Sequence, residues 1–357
     1  MSDDNANGED LLEFLLHNQS IVEPEINHDT QNQKPVFRNF ETVTSGGKTT
    51  SRGMVIEHIV EDLGEITHGW PKRIGRMLFI EGEDNRPVEL DSATRLFAFL
   101  DSVAHVEWSR GIDCVTQERL FAYLQMNAER FESIETSPHF PPHEKTYYMH
   151  SEIPESTAGY LEELINFFKP ATSLDRDLIH ACILTLLWGG PPGTRPAFLI
   201  TGPDNDPEPN KKGRGIGKST FVFVLSELVG GMMTFSQRED IAAIKKRLLS
   251  PKSKGIRVAL LDNLKTLKFS WADLEGLITS PTISGHQMYV GEGHRPNSLV
   301  WFLTVNGATL SKDMADRCIN IKLGRPEFDP NWEADVRNFI QEYRWQILSE
   351  IRSQIES

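Results

Sequence analysis

The 357-residue chain has a formal net charge of −14, with 39% hydrophobic and 25% charged residues, a globular composition with room for two domains. The acid excess excludes a surface coated in cations for nucleic acid, though a channel needs only local bases. No apolar run nears the ~18–20 residues of a membrane span, the opening MSDDNANGED lacks signal-peptide features, and Cys114, Cys182 and Cys318 are scattered, so a cytoplasmic protein with no membrane partner, disulfide framework or zinc site is expected.

Residues 1–50 hold nine acids against three bases and are rich in Asn, Gln, Ser and Thr; they read as a disordered acidic tail with one short helix over 11–16. Residues 51–150 read as a small α+β domain of unassigned role. It has a strand over 77–80, a turn at 81–85 and a helix over 91–103 capped by Asp91, with Leu96, Phe99, Leu100 and Val103 on one face. Thr116 caps a second helix whose apolar face is Leu120, Phe121 and Leu124. His139 and His143 have metal-like spacing, but the prolines between them prevent a helix presenting both, so they read as loop residues.

Residues 151–193 form a helical linker or collar, with helices over 159–168 and 174–188 ended by a Gly-Gly-Pro-Pro-Gly turn. From 194 to 325 the texture changes to strand (197–201), helix (218–229), and further strands (258–261, 299–305, 318–323). Short apolar strands alternating with helices predict a parallel α/β sheet. Residues 326–357 close the chain as an amphipathic helix over 333–355. No internal repeat is visible.

Between the first of these strands and its helix stands Gly213-Arg214-Gly215-Ile216-Gly217-Lys218-Ser219-Thr220. Strand, Gly-x-Gly-Lys-Ser and helix in that order make a phosphate-binding loop. Glycines let successive N–H groups turn around an anion, the helix N-terminus adds its dipole, Lys218 supplies a cation for the β- and γ-phosphates, and the Ser219 hydroxyl is a Mg²⁺ ligand. The consensus glycine at 212 is replaced by Lys212, and 204–212 reads as a loop insertion. Gly190 to Pro196 imitates such a loop but precedes the strand and carries Arg195-Pro196 where Gly-Lys belongs; it reads as a turn.

Asp262, ending the strand at 258–261, is the expected second Mg²⁺ ligand. The next residue is Asn263, which can hold a water but cannot take its proton; either another acid, Glu275 being the nearest candidate, serves as base or turnover is slow. Asn306 ends the apolar strand at 299–305, and Arg317 immediately precedes the strand at 318–323. Lys245, Lys246, Arg247, Lys252, Lys254 and Arg257 form a basic run without an acid, either a nucleic-acid contact or a solvated face. His286, Tyr289, His294 and Arg295 mix bases with an aromatic ring, the groups that stacking and phosphate contacts use.

Together Gly215-x-Gly217-Lys218-Ser219, Leu261-Asp262-Asn263, Thr304-Val305-Asn306 and Asp316-Arg317 resemble the superfamily 3-like AAA+ helicase ATPases of phage, plasmid and mobile-element replication proteins, often fused to a primase. The resemblance covers roughly residues 170–350. It implies a three-layer P-loop core of the AAA+ (ASCE) type, a hexameric ring of self-associated chains, ATP and Mg²⁺ as cofactors, and single-stranded DNA in a central channel, with a primase or replisome partner acting in trans. It further implies that Asn306 senses the γ-phosphate, that Arg317 acts on the neighbouring subunit's nucleotide, and that the segment around 278–297 is a DNA-contacting hairpin. The alternative to a motor is a slowly hydrolysing assembly switch or helicase loader, consistent with Asn263; a P-loop phosphotransferase would need a set of lid arginines that the sequence does not display.

Overall fold

The computed structural model describes residues 34–82, 86–203, 216–236, 238–250, 253–264, 271–287, 291–305, 310–325 and 329–357. The chain divides into two units, one ending at Phe131 and one spanning Glu132–Ser357. No helix among the described residues is long and apolar enough to cross a membrane.

In the first unit β1 (Val36–Arg38) leads into a hairpin of β2 (Phe40–Ser45) and β3 (Lys48–Gly53). Gly46 and Gly47 turn it at φ 60° and 78°, a left-handed pair that matches strand twist. This corrects the expected unstructured tail through residue 50. Val43 and the β-branched threonines 42, 44, 49 and 50 favour extended backbone, and the Gly-Gly turn pairs them. Residues 1–33 lie outside the described residues.

The unit continues through α1 (Ile56–Ile66), β4 (Lys72–Ile74), β5 (Met77–Glu81), β6 (Pro87–Leu90), α2 (Ala93–Val103), β7 (His105–Glu107), α3 (Gln117–Asn127) and β8 (Glu129–Phe131). Its sheet runs β6-β5-β4-β8, while β7 pairs parallel with β1. Leu63, Leu78, Leu96, Leu100, Leu120 and Leu124 meet in its core. Thr116 caps α3 by accepting from the Arg119 amide. The cap of α2 is Ser92, which accepts from the Arg95 amide, whereas Asp91 pairs with the Arg95 side chain at 3.3 Å.

The second unit begins with β9 (Ser133–Glu135) and β10 (Thr146–Tyr148), which pair in parallel. Two helices follow, α4 (Tyr160–Phe167) and α5 (Ser173–Leu187), and then the alternating core. That core comprises β11 (Ala197–Thr201), α6 (Lys218–Ser226), β12 (Met232–Ser236), α7 (Ile241–Leu248), β13 (Val258–Leu264) and α8 (Trp271–Thr279). The hairpin β14 (Thr282–Gln287) and β15 (Gly291–Pro296) comes next, then β16 (Val300–Val305), α9 (Lys312–Ala315), β17 (Cys318–Lys322) and α10 (Trp332–Glu356).

Five strands form one sheet in the order β12-β13-β16-β11-β17, every neighbouring pair parallel. Side chains alternate across it. Phe198, Ile200, Leu260, Phe302 and Ile321 point to a core completed by α4, α5, α6 and α10. Ala197, Ala259, Leu261, Trp301 and Leu303 point to a second core completed by α7, α8 and α9. Strands buried on both faces are the near-continuous apolar runs that mark a parallel sheet. The sequence reading assigned four of these strands and omitted β12, a short edge strand after Gly230-Gly231 with only Phe235 fully buried.

Residues 132–150, expected in the small domain, belong to the second unit. The buried Arg257 guanidinium bonds the Glu135 carboxylate and the carbonyls of Ser137, Pro138 and Leu186, tying the segment to the base of β13. An arginine there satisfies four acceptors that would otherwise be buried without donors.

Candidate functional site

The core strands end on a common edge because all run the same way, and loops leaving that edge collect side chains from several strands. Ile216, just before α6, is buried in the core that holds that helix. Gly217 precedes α6 with φ 83° and ψ 22°, a left-handed conformation that favours glycine, and a Cβ built on it would meet only open space. Lys218, Ser219 and Thr220 form the first turn of α6 and are half-buried. The helix is held by Phe221, Val222, Val224 and Leu225, all buried, so its N-terminus is fixed by packing.

Two strands, β13 and β16, supply what faces this helix start. The Lys218 ammonium donates to the Val305 carbonyl at the end of β16, 2.9 Å away. Burial pushes its pKa down, and the charge of Asp262 opposes that shift. The Ser219 hydroxyl donates to Asp262 Oδ1 at 2.6 Å. Thr304, on β16, donates to the same oxygen at 2.6 Å and accepts from the Asn263 amide at 2.7 Å. The strand β16 lies between β11 and β13, so its tip falls between the lysine's helix and the aspartate.

Around Asp262 the ladder is irregular. Leu261 pairs with Leu303 and Leu264 with Val305, so Asp262 and Asn263 together face the single residue Thr304. Asn263 sits at φ 56°, where asparagine is among the few residues tolerated. Such bulges re-aim side chains beside functional sites.

The donors present are a carboxylate and a hydroxyl oxygen, the hard-oxygen chemistry that Mg²⁺ takes together with a substrate's phosphates. An ammonium at a helix N-terminus suits those phosphates. The residues therefore fit a Mg²⁺–phosphate group. Among the described residues no cluster of three or more His, Cys, Asp or Glu side chains forms an all-protein metal cage.

Other expected residues lie elsewhere. Arg317 is exposed, and its carbonyl accepts from the Ala197 amide at the start of β11. Ile321, Ile200 and Thr304 lie abreast across the sheet, so Arg317 stands four residues, about 13 Å, back from the Thr304 level at the opposite edge. Glu275 on α8 accepts from the Ser311 hydroxyl, which also caps α9. Gly213, Gly215, Tyr289 and Asn306 lie outside the described residues.

On the β14–β15 hairpin, His286 faces Glu292 and His294 faces Ser284; both histidines are exposed and share a face. Arg295 is a correction. It lies on the other face, 5% exposed, and donates to the carbonyls of Leu248, Ser253 and Ile256. Alternation along a strand puts neighbours 294 and 295 on opposite faces, so only one of the two can be presented to solvent. The basic run divides likewise: Arg257 is buried on Glu135, and Arg247 pairs with Glu239 and lies over the Phe235 ring. Arg195, in the turn that imitates a phosphate loop, donates to the carbonyls of Trp188 and Pro191.

Thr304 is the site residue that sequence reasoning did not single out. The available signal was one hydroxyl in an otherwise apolar strand, one residue before its tip.

No known protein family matches the chain, and no curated protein matches it in sequence. Among solved structures it is similar to the A-form apo structure of the NrS-1 C-terminal region, with TM-score 0.48, 10% identity, and coverage of 77% of this chain and 64% of that one. A second apo structure of that region gives TM-score 0.47, 11% identity, and coverage of 79% and 66%. The X-ray structure of JCV helicase gives TM-score 0.31, 12% identity, and coverage of 56% and 53%. The chain thus spans under two thirds of the length of the first two. Neither a fold assignment nor a residue role rests on these likenesses.

Proposed function

We propose that this chain binds ATP with Mg²⁺ and hydrolyses it as an AAA+ type, ring-forming motor acting on DNA, in the replication system of a mobile element. The observation that carries the nucleotide reading is the meeting of Lys218, Ser219 and Asp262 at one edge of a parallel sheet, with Ser219 and Asp262 2.6 Å apart. The α6 N-terminus and Lys218 would hold the β- and γ-phosphates. Ser219 and Asp262 would hold Mg²⁺, which when bound offsets negative charge on the phosphate oxygens. Lys218 already lies against the strand end that leads to Asn306, the residue proposed to sense the γ-phosphate.

Arg317, at the far edge of its own sheet, would serve a nucleotide only on a neighbouring copy, which is what a ring of identical chains supplies. The exposed face of the hairpin, with His286 and His294, and Tyr289 beyond the described residues, is the proposed surface for single-stranded DNA.

A second reading, an assembly switch or loader that hydrolyses slowly, is favoured by a specific observation. Asn263 follows Asp262 where a carboxylate base would be useful, and Glu275 is engaged by Ser311. Steady-state ATP hydrolysis by the purified chain, with single-stranded DNA titrated, separates the two. DNA-stimulated turnover abolished by Lys218→Ala supports the motor; tight ATP binding with negligible turnover at every DNA concentration supports the switch; binding and turnover unaffected by Lys218→Ala would remove both.

A further inference from the structure

We infer that Thr304 is a positioning residue: its hydroxyl fixes the Asp262 carboxylate, and thereby sets the affinity of the site for Mg²⁺. The inference rests on the nucleotide reading above and deepens it.

A threonine hydroxyl has one proton to donate and can accept as well. Thr304 uses both capacities on consecutive residues of β13, donating to Asp262 Oδ1 and accepting from the Asn263 amide. These are the two residues that the bulge sets against Thr304 alone. Where the regular ladder lapses, a side chain replaces it. The hydroxyl is in the right place because Thr304 is 2% exposed and held in the middle of the sheet, level with Ile200 of β11.

Asp262 Oδ1 thus receives two hydroxyl protons from different sources. Ser219 belongs to the phosphate loop's helix and is itself a proposed metal ligand. Thr304 belongs to the sheet and has no such second task, so its bond orients the carboxylate wherever the loop lies. Groups that orient a metal-binding carboxylate typically contribute 10–100-fold in metal affinity or activity. The alternative is that Thr304 only satisfies the part-buried Asn263 amide. That role would affect folding and leave the metal dependence unchanged.

The test is Mg²⁺ titration of binding of a fluorescent ATP analogue to the full chain. It compares wild type, Thr304→Val, which keeps the volume and loses the hydroxyl, and Thr304→Ser, which keeps the hydroxyl. Half-saturating Mg²⁺ should rise about tenfold or more in the valine variant and stay within about twofold of wild type in the serine variant. Affinity for the analogue in excess EDTA should be the same in all three, because Lys218 and the helix N-terminus are untouched. If the valine variant does not fold, Thr304→Cys, a weak donor, takes its place. A wild-type Mg²⁺ dependence in the valine or cysteine variant, or a serine variant as impaired as either, overturns this inference alone. Analogue binding that Lys218→Ala leaves intact overturns the nucleotide reading and this inference with it.

Discussion

Lys218 and Arg317 stand at opposite edges of the same parallel sheet: the first at the C-terminal ends of the strands, bonded to the Val305 carbonyl, the second bonded through its own carbonyl to the first residue of β11. A guanidinium placed there does not serve the lysine's site in its own chain. Among the described residues no ion pair joins it to Asp313 or Asp316.

Arg317→Ala should therefore leave ATP binding intact and lower the hydrolysis rate by about 10³-fold or more, the range reported for such cations. Mixing Arg317→Ala with Lys218→Ala chains should restore part of the activity, because some junctions then combine one chain's intact arginine with its neighbour's intact lysine. Rate measurements on a mixing series check this; strict addition of the two residual activities would count against action between chains.

The hairpin sets two residues that adjoin in sequence in different surroundings, His294 exposed and Arg295 buried. His286→Ala with His294→Ala should weaken single-stranded DNA binding, measured by anisotropy, while leaving the melting temperature near wild type. Arg295→Gln should act the other way, lowering stability by about 2–4 kcal/mol, because buried carbonyls lose charged donors. Urea denaturation measures it.

Glu350, from α10, accepts from the amides of Gly159, Tyr160 and Leu161 and from the Ser156 hydroxyl, capping α4 from far along the chain. Burial pushes its carboxyl pKa up, but these hydrogen bonds outweigh burial and hold it below the usual 4.5. A depressed acid adds stability that is present above the unfolded pKa and lost as pH falls through the folded one. Glu350→Gln should cost about 1–3 kcal/mol at pH 7, and the gap from wild type should close as pH drops below 4.5. Denaturation midpoints across pH 3–7 provide the check.

His139 and His143 stack at 4.0 Å between centroids, and His139 Nδ1 lies 2.9 Å from the Tyr148 hydroxyl. Burial, reinforced by the Arg257 charge, holds His139 far below its ordinary 6.5; burial, reinforced by Arg195, lowers His143. A base depressed in the folded state is neutral there while the unfolded chain takes up protons below 6.5. Stability should therefore fall as pH drops below that value, by up to about 1.4 kcal/mol per pH unit for each histidine. His139→Gln should flatten the decline between pH 6.5 and 5, a window above that of Glu350. An unchanged slope would show that His139 is protonated in the fold.

Local chemistry made much of the core legible. The strands at 197–201 and 300–305 announce themselves as apolar runs, and Gly217-Lys218-Ser219 at a strand-to-helix junction carries its chemistry in the order of residue types. The strand β12 escaped because an edge strand is half-wetted and its periodicity weak. The 36–53 segment escaped because threonine-rich polarity reads equally as a solvated tail or a two-stranded ribbon.

What the sequence determined by itself was the alternation of elements and the choice of Lys218, Ser219 and Asp262 as candidates, since each rests on residue types a few positions apart. What only the tertiary structure decided was register and facing. It set Thr304 against Asp262 and Asn263, turned Arg295 inward while leaving His294 exposed, and carried Arg317 to the far edge. Those outcomes follow from hydrogen bonds between strands and from the burial of one face of each, and both are settled by partners some forty to two hundred residues distant along the chain.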